Sequence, residues 1–132
     1  MHKNIIFTAA IFAAVSVALG AFGAHALDGL LTDRWQKSYE TAARYLMYHS
    51  FALLACGVLE YIQPNRLVVI ASKLFIAGII LFCGSLFTLV FLNFKNITNF
   101  NFIGAITPLG GICFIVGWMF LAFGARRIHP NT

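Results

Sequence analysis

Eight polar side chains carry whatever chemistry this chain can do: His25, Arg44, Tyr45, Tyr48, His49, Ser85, Thr88 and Thr107. All lie in or beside long apolar stretches, where a polar group is costly and tends to face a neighbouring helix, a wet cavity or a ligand. Tyr45, His49, Ala52 and Cys56 follow steps of four, three and four, so they share one face of a helix. An imidazole on that face can hold a ligand or handle a proton. Its plainer role is to hydrogen-bond a backbone carbonyl or a Tyr. His25 ends the run GAFGAH, and its plainer role is that of a helix-terminal imidazole at the negative end of the dipole. The Arg44 guanidinium suits an anion or a lipid phosphate, or serves as an anchor beside the headgroups. In Thr107-Pro108-Leu109-Gly110-Gly111 the proline frees a carbonyl or simply kinks the helix, and the glycines admit a close neighbour.

Two histidines fall short of the three or four ligands of a metal site. Cys56, Cys83 and Cys113 stand in different apolar runs without a C-x-x-C spacing, so they read as packing residues. His25 also lies near a helix end, a poor place for a bundle haem ligand. No metal and no cofactor are therefore expected. No nucleophile, metal set or cofactor motif accompanies the lone His and the two Tyr, which ranks an enzyme third, behind ligand binding and transport.

The elements that must position these residues are helices in a membrane. Hydrophobic residues fill 61% of the 132 positions and charged residues 10%, far from the mix of a soluble domain. Spans are expected at about 4–27, 42–62, 68–92 and 102–124, each near the length that crosses roughly 30 Å of hydrocarbon. The fold class is all-α, a four-transmembrane-helix up-down bundle forming a single membrane domain. Lys3, an apolar run and Ala24-His25-Ala26 imitate a secretory signal, but the segment is expected to be retained as the first helix. Net charge is +5 and thinly spread, which argues against a nucleic-acid surface. With both termini in the cytoplasm, Lys3, Arg66, Lys73, Arg126 and Arg127 face Arg34, Lys37, Arg44 and Lys95, five against four.

Small residues set the expected packing. Ala9, Ala13, Ser16, Gly20 and Ala24 form a stripe on the first span, and Gly110, Gly117 and Gly124 repeat every seven on the last. Such stripes let helix backbones approach in lipid, so the first and last spans are expected to be buried, with Gly20, Ala24, Gly110 and Gly117 at the interfaces. Thr32 is placed to cap a helix from Asp33 that meets no breaker before Gln63. Thirty residues extend about 45 Å, longer than the bilayer core, so this helix protrudes with Trp35 and Tyr39 at the headgroups. The turn at residues 63–66 is too short to do more than connect, and Glu60 and Lys73 on its two sides are expected to pair.

GAFGAHAL at 20–27, Trp35, TAARYLMYHSFALL at 41–54, LFCGSLF at 81–87 and ITPLGGICFIVGW at 106–118 resemble the small four-helix membrane proteins of the YgdD-like, or YwdK-like, family. The resemblance runs in order through nearly the whole chain. It implies architecture and location, a multi-pass protein of the bacterial inner membrane, and brings no activity and no catalytic residues. Beside it, the residues themselves favour a non-catalytic protein that binds a lipid headgroup or small amphipathic ligand in a polar pocket in the outer half of the bundle. That pocket is expected to gather all eight polar residues, with His25 meeting Tyr45, Tyr48 or His49. The expected partners are membrane lipids, a second copy of the chain or a larger membrane system that it serves as an accessory. The alternatives are a small transporter or proton-linked channel, disfavoured by the apolar stretch Phe51 to Leu59, and a purely structural subunit.

Overall fold

With no water to satisfy backbone groups in hydrocarbon, each apolar run closes its own hydrogen bonds as a helix. The computed structural model describes residues 2–127. It contains α1 (His2–His25), α2 (Asp33–Ile62), α3 (Arg66–Gly78), a π-turn (Ile79–Cys83), α4 (Gly84–Phe94), a 3-10 turn (Asn101–Ala105) and α5 (Ile106–Ala125). The π-turn joins α3 and α4 into one continuous third helix, so four helices are long and apolar enough to cross a membrane: His2–His25, Asp33–Ile62, Arg66–Phe94 and Asn101–Ala125. The protein is an all-α bundle of four transmembrane helices.

The helices do not close into a square. α1 packs along α2, α5 packs along α3, α2 packs against the third span, and α2 and α5 barely meet. Contrary to expectation, the central element is α2: 44% of its most apolar stretch is buried, against 17% in α1 and 17% in the last span. The core runs from Leu46, Leu53 and Cys56 of α2 through Val68, Ala71 and Phe75 of α3 to Phe114 and Leu121 of α5.

α1 meets α2 through Ile5, Ala9, Ser16 and Gly23, not through Gly20 and Ala24. The correction follows from helix geometry. Two successive steps of four carry Gly20 and Ala24 about 40° and 80° round the helix from Ser16, whereas the step of seven to Gly23 carries it back only about 20°. Gly20 accordingly has open space where a Cβ would stand, while at Gly23 a Cβ would run into the Tyr39 ring. Tyr39 is not a headgroup residue: it is buried and its hydroxyl donates to the Leu19 carbonyl at 2.6 Å. Ser16 donates to the Ala43 carbonyl at 2.7 Å, a second polar rivet between the same two helices.

α5 meets the third span through its seven-residue glycine repeat. A Cβ at Gly117 would stand 2.9 Å from the Phe75 ring, and one at Gly124 2.9 Å from a Val68 methyl. At Gly110 it would meet the backbone of Phe82 in the π-turn, and Gly78, just before that turn, faces the Gly110 carbonyl in return. Of the glycine contacts, this crossing is the one that meets a neighbour's backbone most closely.

Two local readings are corrected. α2 begins at Asp33 as the sequence suggests, yet Thr32 makes no side-chain cap bond. The residue 63–66 turn does more than connect: Asn65 Oδ1 accepts from Leu67 N–H at 2.9 Å, its Nδ2 donates to the Gly124 carbonyl at 3.0 Å, and its N–H donates to the buried Glu60 carboxylate at 3.0 Å. Glu60 is thus held by Asn65 and does not pair with Lys73, which is exposed.

Candidate functional site

Because α2 and α5 both pack on the third span and scarcely touch each other, a groove of 540 Å³ remains between them. Tyr45, Tyr48 and His49 line it from α2, Phe82 from the π-turn, and Gly111, Phe114, Ile115 and Trp118 from α5. π-turns inside helices recur at functional sites. Here the turn sets Phe82 against both Gly110 and the Tyr45 ring, with the Tyr45 and Phe82 rings stacked at 4.9 Å and 15°.

His49 is the buried polar centre of this groove. Its Nδ1 lies 2.7 Å from the Tyr45 carbonyl, and its Nε2 lies 3.3 Å from Trp118 Nε1. A carbonyl only accepts and an indole N–H only donates, so Nδ1 carries the proton, Nε2 accepts, and the imidazole is neutral in one fixed tautomer. One face of the ring lies on Phe114, with centroids 3.5 Å apart and planes 8° apart. Both nitrogens are engaged, so protonating His49 would break its bond to Trp118. That disfavours a proton relay.

The other sequence-nominated residues do not join this centre. Ser85 Oγ donates to the Phe82 carbonyl at 3.0 Å, which leaves Thr107 to donate to Ser85 at 2.6 Å; the pair bolts α4 to the first turn of α5. Thr88 donates to the Gly84 carbonyl of its own helix at 2.7 Å. Arg44 is exposed and lines a separate 350 Å³ groove between α1 and α2, with Gly20, Gly23, Ala24, Tyr39 and Glu40. His25 is exposed at the end of α1, and among the described residues it has no hydrogen-bond partner. The expected meeting of His25 with Tyr45, Tyr48 or His49 does not occur: the residues that bring α1 against α2 near its end are Gly23 and Tyr39, and α1 lies on the side of α2 away from α5. α5 starts at Ile106, so Pro108 occupies its first turn, where a missing N–H is best tolerated.

Phe82, Phe114 and Trp118 were not singled out from sequence as site residues. A signal existed for two of them. Gly110, Phe114, Gly117, Leu121 and Gly124 follow steps of four and three, which places Phe114 on the glycine face and Trp118 one turn further on its flank. Among the described residues no three His, Cys, Asp or Glu side chains converge as a metal site needs.

The family described as "Protein of unknown function (DUF423)" matches residues 19–111. The UPF0382 membrane protein YwdK of Bacillus subtilis is 39% identical over 126 residues, covering 95% of this chain and 98% of the relative. A UPF0382 membrane protein of Staphylococcus saprophyticus is 39% identical over 126 residues, covering 96% and 99%. One from Staphylococcus aureus USA300 is 43% identical over 122 residues, covering 90% and 92%. No solved structure matches the chain.

Proposed function

We propose, from the premise that the chain belongs to the DUF423 family together with the UPF0382 membrane proteins, that it is a non-catalytic membrane protein. It binds a small amphipathic molecule that enters sideways from the bilayer into the groove between α2 and α5. The observation that carries this reading is the groove itself. Its volume falls in the range of small-molecule sites, and apolar walls with a few convergent polar groups are the usual composition of such sites. A conducting pathway is the weaker reading, because His49 is locked between the Tyr45 carbonyl and Trp118, and Glu60 is held by Asn65. A purely structural subunit would have no use for an open aromatic groove.

Ile115 lines the groove and is 67% exposed, so Ile115→Trp fills the space without entering the core. Native mass spectrometry of wild type is expected to show a retained molecule that Ile115→Trp loses while its thermal stability is unchanged. Equal occupancy in both proteins would overturn the assignment of the groove. The same proposal takes in the bacterial inner membrane, with both termini cytoplasmic and Lys3, Arg66, Lys73, Arg126 and Arg127 on the inner side; this rests on the slight excess of basic residues there, five against four. A C-terminal reporter is expected to be active in its cytoplasmic form, and activity only in the periplasm would invert the orientation.

A further inference from the structure

The chemistry of the groove narrows what it takes; this inference rests on the ligand-binding reading above. No charged side chain lines it, since Arg44 opens on the α1–α2 side. It also lies inside the span: counted from the expected outer boundary near residue 42, His49 is about 10 Å in, at 1.5 Å per residue. A phosphate headgroup brought to that depth would lose its hydration with no cation to meet it. The polar groups on offer are the Tyr45 and Tyr48 hydroxyls, on side chains 37% and 50% exposed, and neither hydroxyl has a hydrogen bond among the described residues. In hydrocarbon a phenol without a partner is costly, and what it lacks is an acceptor. The walls are flat: His49 lies parallel to Phe114, and Tyr45 is stacked on Phe82. Aromatic faces of this kind hold a planar ring in offset or edge contact.

We propose that the groove binds a neutral, planar, carbonyl-bearing ring on an apolar tail, a lipid-soluble quinone, with Tyr45 and Tyr48 donating to its carbonyl oxygens and Trp118 closing one side. Binding alone is assigned, with no electron transfer. The chain has two tryptophans, so Trp35→Phe leaves Trp118, at the groove wall, as the single tryptophan, excited selectively at wavelengths that tyrosine does not absorb. Titrating that variant in nanodiscs with decylubiquinone is expected to give saturable quenching above the linear collisional background. In Tyr45→Phe/Tyr48→Phe, which keeps both rings, the apparent affinity is expected to fall about tenfold, as for the loss of about 1.4 kcal/mol. Quenching that never saturates, or saturates equally in the double variant, overturns the quinone assignment. If native mass spectra instead show a diacylglycerol displaced by Ile115→Trp and no quinone, the ligand class is wrong while the groove reading stands.

Discussion

Gly110→Ala is expected to destabilise the bundle by about 3 kcal/mol, at the upper end of the usual cost of overpacking. Gly20→Ala is expected to be neutral or stabilising by up to about 1 kcal/mol. Both changes add one methyl to a helical glycine in an apolar span, and both gain the same helix propensity. The difference lies in what the methyl meets. At Gly110 the new Cβ would stand 2.7 Å from Phe82 Cβ and 2.8 Å from Phe82 Cα. The Cα is main chain of the π-turn and the Cβ is fixed directly to it, so neither can swing aside as a side-chain tip can, and relief requires α5 and the third span to part. Parting them also loosens the glycine contacts at Gly117 and Gly124 further along the same face. At Gly20 nothing stands within 4 Å. Unfolding of the two variants in mixed micelles checks the pair; equal stabilities would mean that the crossing at Gly78 and Gly110 is not as close as described.

The same pair of glycines shows what could be read from the chain. The small-residue pattern of the last span kept a period of seven, which stays within a few tens of degrees of one face, and its residues all reached the third span. On the first span the pattern was read at 4, 3, 4 and 4, a run that turns off the face after Ser16, and the true contact at Gly23 was passed over. Four long apolar helices and the helix start at Asp33 were legible because hydrophobic length and the absence of a breaker are local, even though Thr32 makes no cap bond. Which helix lies at the centre was not, since all four spans are apolar and lipid covers an exposed face as readily as protein does. The π-turn was equally hidden: IILFC holds no breaker, and the close contact of Gly110 with Phe82 is made only when the helices pack. For the site, depth along each helix was legible and azimuth was not. His25, Arg44 and His49 were grouped by depth, whereas the structure turns them toward three different surroundings.

His49 is where the remaining question of chemistry against packing can be decided by magnitude. His49→Ala is expected to cost about 3 kcal/mol, comparable to truncating a buried aromatic ring. His49→Phe is expected to cost well under half of that, about 1 kcal/mol. The phenyl ring keeps the place over Phe114, where the imidazole now stacks at 3.5 Å, and keeps the contact with Phe75. What it loses is polar. The Tyr45 carbonyl still accepts the ordinary helical N–H of residue 49, so giving up the Nδ1 bond strands no group there. Trp118 is left without its acceptor in hydrocarbon, but its side chain is 47% exposed and can turn, and interhelical hydrogen bonds in membranes average only about 0.6 kcal/mol. The packing loss is therefore the larger share. Combining His49→Phe with Trp118→Phe should isolate the smaller share as a coupling of about 0.6 kcal/mol, because the second change removes the orphaned donor. If His49→Phe proves as costly as His49→Ala, the polar bonds outweigh the stack and this ordering is wrong. If the ordering holds and His49→Phe also keeps the molecule retained by wild type, the imidazole is a wall of the groove rather than a hand that grips its contents, and recognition falls to the two tyrosines beside it.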